Sequence, residues 1–175
     1  MEPGEILLSE EQIQKRVREM AYEIRRDFPD DLHLVAVLKG SFVFLSDLAR
    51  NLDGRVSLDF MAVSSYGRGT TSGEVRLMKD LDAALDGRHV LIVEDIVDSG
   101  LTLARLQEIL RARAPRTLRT ACLLSKPARR RVPVPVDYVG FEIPDTFVVG
   151  YGLDYGDRYR NLRYIAAMRS CPGDL

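Results

Sequence analysis

Between Val90 and Leu103 the chain reads VLIVEDIVDSGLTL. An apolar run meets the adjacent acids Glu94 and Asp95, then Ile96 and Val97, then the small polar turn Asp98-Ser99-Gly100-Leu101-Thr102. Consecutive backbone N–H groups in such a turn, at the start of a helix and with the Ser99 and Thr102 hydroxyls beside them, make a dianion site by hydrogen bonding and dipole. Gly100 lets the backbone come close. Paired carboxylates repel a bare phosphate but accept hydrogen bonds well from a vicinal diol. A phosphorylated ribose has both groups. The segment lacks the Walker A lysine and the G-x-G-x-x-G spacing, so it is a phosphate cradle of another kind.

The surrounding pattern says what holds this loop. Ser9-Glu10-Glu11-Gln12 has the form of a capping box, and Ile13, Val17, Met20 and Ile24 predict a helix to about Asp27. Leu32 to Leu38 reads as a strand, Lys39-Gly40-Ser41 as a loop, and Phe42, Leu45, Leu48 and Leu52 as a helix ending at Asp53-Gly54. Leu58, Phe60 and Ala62 alternate as a half-buried strand, as do Val75 and Leu77, with the polar stretch Ser64 to Gly73 making a long hairpin between them. After a turn at Asp86-Gly87, Val90 to Val93 is a buried strand, and Leu103, Leu106, Ile109 and Leu110 form a helix stopped before Pro115. Further strands are predicted at Thr120 to Leu124, Tyr138 to Phe141 and Phe147 to Val149. Repeated strand, loop, helix units imply an α/β fold with a parallel sheet, helices on both faces, and ligands at the carboxyl ends of the strands.

The 175 residues and 46% hydrophobic content fit one domain, 1–175. A net charge of -1 offers no general attraction for a polyanion, so a small-molecule ligand and no nucleic acid are expected. With neither a secretion signal nor an apolar run of membrane-spanning length, the expectation is a cytoplasmic protein without membrane contact. Cys122 and Cys171 read as free thiols. His33 and His89 fall at strand starts, away from the predicted ligand edge, and Arg129-Arg130-Arg131 reads as a solvated basic turn.

Four apolar residues, two acids, two apolar residues and D-S-G-x-T resemble the phosphoribosyl-pyrophosphate motif of type I phosphoribosyltransferases, most closely their hypoxanthine-guanine branch. VAVLKGSF, SSYG, VRLMKDL, LLSKP and DYVGFEIPDTFVVGYGLDY extend the resemblance to about Met168. It implies a Rossmann-like core, a flexible hairpin lid and a small hood built from the chain ends. It also implies transfer of a phosphoribosyl group from phosphoribosyl pyrophosphate to hypoxanthine or guanine, with Mg²⁺ as cofactor and a homodimer or homotetramer as the assembly.

Carried over by that resemblance, Glu94 and Asp95 bind the ribose hydroxyls, Asp98 to Thr102 hold the 5-phosphate, and Asp98 is the general base. Lys39, Gly40 and Arg160 bind pyrophosphate, with a cis peptide beside Lys39. Lys126 donates to the purine 6-oxo group, Phe147 stacks on the base, and Val148 supplies backbone contacts. Glu94, Asp95 and Asp154 form the metal site, and Ser65 and Tyr66 belong to the lid. A receiver domain would place its acid pair after the first strand, and here several strands come first. A nucleotide-sensing RNA regulator on the same fold would use Arg129 to Arg131 as its basic patch, but it has no need of Asp98 and Lys126.

Overall fold

The computed structural model describes residues 2–65 and 75–169. In chain order the elements are β1 (Glu2–Leu8), α1 (Glu10–Asp27), β2 (Leu32–Leu38), α2 (Phe42–Asn51), β3 (Val56–Ser65), β4 (Val75–Lys79), β5 (His89–Val97), α3 (Leu101–Arg111), β6 (Thr117–Ser125), β7 (Tyr138–Glu142), β8 (Val148–Val149) and β9 (Ile165–Arg169). The main sheet has the order β4-β3-β2-β5-β6-β7. Its strands are parallel except for β4, which returns antiparallel along β3. The hairpin joining those two contains Tyr66, which lies outside the described residues.

The capping box forms as predicted: Ser9 Oγ accepts from Gln12 N–H, and the Gln12 side chain accepts from Ser9 N–H. Helix α1 then buries Ile13, Val17, Met20, Ala21 and Ile24. Apart from Ala21, each such fully buried apolar side chain is worth roughly 1.5–3 kcal/mol of transfer free energy. Period-two alternation divides the sheet between two cores. Leu34, Ala36, Leu91 and Val93 pack with α1 and α2, while Val35, Val90 and Ile92 pack with Leu103, Leu106 and Leu110 of α3. Helices therefore cover both faces, and both cores end where β2 and β5 reach their carboxyl ends.

In strand β3 Phe60 packs on the α1/α2 core as its predicted phase requires, but the other face of the strand is the more deeply buried one. Asp59 and Met61 are buried and Leu58 is 50% exposed. Asp59 can sit inside because it accepts N–H bonds from Phe60, Asp82 and Ala83, which repay the desolvation of its charge. A hydropathy pattern treats every Asp as outward-facing and so misses this.

The chain ends meet in a second sheet of order β1-β9-β8, antiparallel throughout. Neither β1 nor β9 was among the predicted strands. Glu2, Pro3, Gly4 and Glu5 leave β1 without an apolar alternation to read, and β9 becomes a strand because β1 and β8 flank it.

Candidate active site

At the carboxyl end of β5 the chain turns through Asp98, Ser99 and Gly100 into α3. Gly100 has φ +84, and a Cβ there would press on Val134, Arg130 and the Val132 carbonyl, so the turn requires glycine twice over. No side-chain cap closes the start of α3; the Ser99 hydroxyl reaches Leu101 N–H only at 3.4 Å. The amide donors of the first turn and the positive end of the helix dipole thus face a cavity of about 170 Å³. Glu94, Asp98, Ser99, Gly100 and Thr102 are among its lining residues.

The strand carries its acids further than the sequence suggested, because β5 runs to Val97 rather than stopping at Val93. Leu91 and Val93 face the α1/α2 core, yet beyond the acids it is Ile96 that returns to that core, while Val97 joins the α3 core. The alternation reverses phase across Glu94-Asp95 although pairing with β6 keeps its register. Glu94 is buried, and burial, reinforced by the Asp95 charge, pushes its carboxyl well above the ordinary range. Burial likewise pushes Asp95 up to about 6, against the opposing effects of backbone N–H donors and the Arg160 charge.

Two more loops close on Asp95. The Leu38–Lys39 peptide is cis, and a Cβ on Gly40 would fall on the Asp95 carboxylate. A Cβ on Gly152, at φ +99, would in turn fall on the Gly40 carbonyl. Ser41 anchors the first loop by donating its hydroxyl to Val37 C=O at 2.5 Å. Arg160 donates to Gly152 C=O at 2.8 Å and pairs with Asp154 at 2.8 Å and Asp157 at 3.1 Å. Lys39 Nζ reaches the same Asp157 at 3.3 Å. Asp95, Gly40, Lys39, Arg160 and Asp154 are thereby one neighbourhood, although they lie up to 121 positions apart in sequence.

The third side of the site follows β6. Lys126 is only 6% exposed, and its N–H donates to Val97 C=O at 3.0 Å, which ties this loop to the end of β5. Arg131 N–H donates to Ser99 C=O at 2.9 Å, tying it to the phosphate turn as well. Arg129 Nε lies 2.8 Å from Asp98 Oδ1, and its other end reaches Asp145 at 3.3 Å. Phe147 precedes β8 instead of belonging to it and is 53% exposed, with Tyr155 edge-on at 5.9 Å between ring centroids. Val148 is buried.

The sequence profile of the Phosphoribosyl transferase domain matches residues 4–156. This chain belongs to the phosphoribosyltransferase family. The hypoxanthine-guanine phosphoribosyltransferase of Bacillus subtilis is 49% identical over 166 residues, covering 94% of this chain and 92% of that protein. The hypoxanthine phosphoribosyltransferase of Escherichia coli K12 is 48% identical over 165 residues, covering 92% and 93%. Among solved structures, a Bacillus anthracis hypoxanthine-guanine phosphoribosyltransferase superposes with a TM-score of 0.93 at 48% identity, covering 96% of this chain and 100% of that one.

Within this phosphoribosyltransferase the predicted residues fall into three groups. Glu94, Asp95 and Asp98 to Thr102 share the end of β5 and the turn after it. Lys39, Gly40, Asp154 and Arg160 meet beside Asp95. Lys126 and Phe147 lie on the loops after β6 and before β8, and Val148 opens β8. Of the lid pair, Ser65 closes β3 and Tyr66 lies outside the described residues. Arg129 and Arg131 are exposed, as expected of a solvated turn, but the turn also makes specific contacts that the sequence did not indicate. Arg129 is paired to acids at both ends, and Arg130 donates to Ser125 Oγ at 2.9 Å. Asp145, which engages Arg129, and Asp157, which engages Lys39 and Arg160, were missed by sequence reading, since nothing local distinguishes an aspartate that meets a cation from another part of the chain. Among the described residues no helix is long and apolar enough to cross a membrane.

Proposed function

We propose that the protein transfers the 5-phosphoribosyl group of phosphoribosyl pyrophosphate to hypoxanthine or guanine, forming IMP or GMP and pyrophosphate. The observation that carries this reading is the Glu94-Asp95 pair, Glu94 buried and Asp95 half-buried, set beside an uncapped helix start with its own cavity. Family membership and relatives named for hypoxanthine and guanine support it. Amides of Ser99 to Thr102 hold the 5-phosphate, and Glu94 and Asp95 accept from the ribose hydroxyls. A ring nitrogen of the base forms the new bond to the anomeric carbon as the bond to pyrophosphate breaks. Asp98 takes the proton given up by the five-membered ring. Lys39, the Gly40 backbone and Arg160 receive the departing pyrophosphate.

Glu94, Asp95 and Asp154 would hold Mg²⁺, which when bound neutralises charge on the pyrophosphate. Their chemistry fits, because the two β5 carboxyls are buried together with raised proton affinity, the condition that a counter-cation relieves. Among the described residues no three potential ligands are placed to hold a metal ion by themselves, so the ion would depend on substrate oxygens and water for its remaining ligands. Lys126 offers only donors, matching a 6-oxo group and opposing the amino group of adenine. The Phe147 ring is exposed and available for stacking.

The test is to mix protein, phosphoribosyl pyrophosphate and Mg²⁺ with hypoxanthine, guanine, xanthine or adenine in turn and measure pyrophosphate release. Release with hypoxanthine or guanine and none with adenine is expected. No release with any base ends the proposal. We further propose a cytoplasmic homodimer or homotetramer in which residues 1–175 act as one domain, an assembly that sedimentation velocity would reveal.

A further inference from the structure

Asp157 sits at the tip of a two-residue hairpin turn. Tyr155 and Arg158 exchange backbone hydrogen bonds at 3.2 Å in both directions, and Gly156 and Asp157 between them have φ +59 and +63. Positive φ at both central residues marks a type I′ turn, in which Asp and Asn are well tolerated. A further bond from Asp157 N–H to Asp154 Oδ2, 2.8 Å, fixes the tip against the loop of the proposed metal carboxylate. The turn thus delivers a carboxylate to one place. There it meets Lys39 Nζ at 3.3 and 3.4 Å and Arg160 Nε and Nη2 at 3.2 and 3.1 Å, cations from two separate loops.

These are the two cations assigned above to the leaving pyrophosphate. We propose that Asp157 is a built-in competitor for that product: its carboxylate holds Lys39 and Arg160 together in the place of an anion, and a diphosphate must displace it to bind. The inference rests on the proposed phosphoribosyl transfer. Among the described residues Lys39 forms no other ion pair, whereas Arg160 keeps Asp154 and the Gly152 carbonyl when Asp157 lets go. Release of Asp157 therefore frees Lys39 completely and leaves Arg160 oriented. The opposite role, a strut that holds Arg160 in its working pose, predicts an effect of opposite sign.

Asp157→Asn separates the two roles, since asparagine suits the same left-handed backbone and removes only the charge. Lys39 and Asp157 are well exposed, so each pair is weak and the expected effect is modest, about two- to fivefold. Calorimetric titration of the full-length protein with magnesium pyrophosphate should show tighter binding to the variant by that factor. The inhibition constant for pyrophosphate in the transfer assay should fall in parallel, and the difference should shrink as salt rises. Unchanged or weaker pyrophosphate binding in Asp157→Asn overturns the proposal. Calorimetry needs no turnover, so a wild-type protein that binds magnesium pyrophosphate but transfers nothing would refute the activity and leave this result readable.

Discussion

Asp98 and Asp95 stand three positions apart and have different tasks. Asp98 is the proposed proton acceptor, with Arg129 2.8 Å away. Asp98→Asn should lower kcat by about 10²–10⁴-fold, the usual contribution of a positioned acid–base group. KM for phosphoribosyl pyrophosphate should stay near its original value, and wild-type turnover in the variant would refute the assignment. Asp95 is strained electrostatically, its carboxyl raised from 3.8 to about 6. Between those values the folded chain binds more protons than the unfolded chain, so this residue's contribution makes stability fall as pH rises through that window. Above it the whole penalty remains. Asp95→Asn should therefore raise the melting temperature at pH 8 in EDTA by a few degrees, since about 1 kcal/mol corresponds to roughly 2–4 °C at this chain length. The same variant should lose affinity for phosphoribosyl pyrophosphate. A lowered melting temperature would show that the Asp95 charge stabilises the fold.

Among the elements, loops pressed together by missing side chains hold the site. Gly40 carries no Cβ, and the Asp95 carboxylate takes the space where one would be. Gly40→Ala should push the Lys39 loop off the end of β5 and raise KM for phosphoribosyl pyrophosphate at least tenfold, with secondary structure by circular dichroism unchanged. Unaltered kinetics would mean that the contact is not needed. Strand and helix cores were legible at this scale because burial leaves a period. Leu32–Leu38 matches its prediction end to end, and α1 starts at its capping box. The failures share one cause, which is that partners distant in sequence decided the outcome. Asp59 is inside because amides from residues 82 and 83 reach it, β9 is a strand because β1 pairs with it, and Arg129, though exposed, is paired because Asp98 and Asp145 converge on it.

For the whole molecule, two cores on opposite faces of one sheet carry the stability, while the site occupies the edge where both cores end. Leu106 is fully buried under α3, on the side away from α1 and α2. Leu106→Ala should cost about 2–5 kcal/mol in urea unfolding, and a change below 1 kcal/mol would mean that this core collapses around the gap. The sequence by itself determined the parallel α/β frame and the chemistry at the end of β5, because hydropathy period and the acid-acid-x-x-DSG spacing are local properties of the chain. Its resemblance to a family then named Lys39, Lys126, Phe147, Asp154 and Arg160 as partners in one reaction. Only the tertiary structure decided that Gly40 and Gly152 bring two loops onto Asp95, that Arg129 pairs with Asp98, and that Asp157 holds Lys39 and Arg160. Apart from Asp157 with Arg160, those contacts join residues tens of positions apart, so folding must first bring them together, and no local window of sequence contains them.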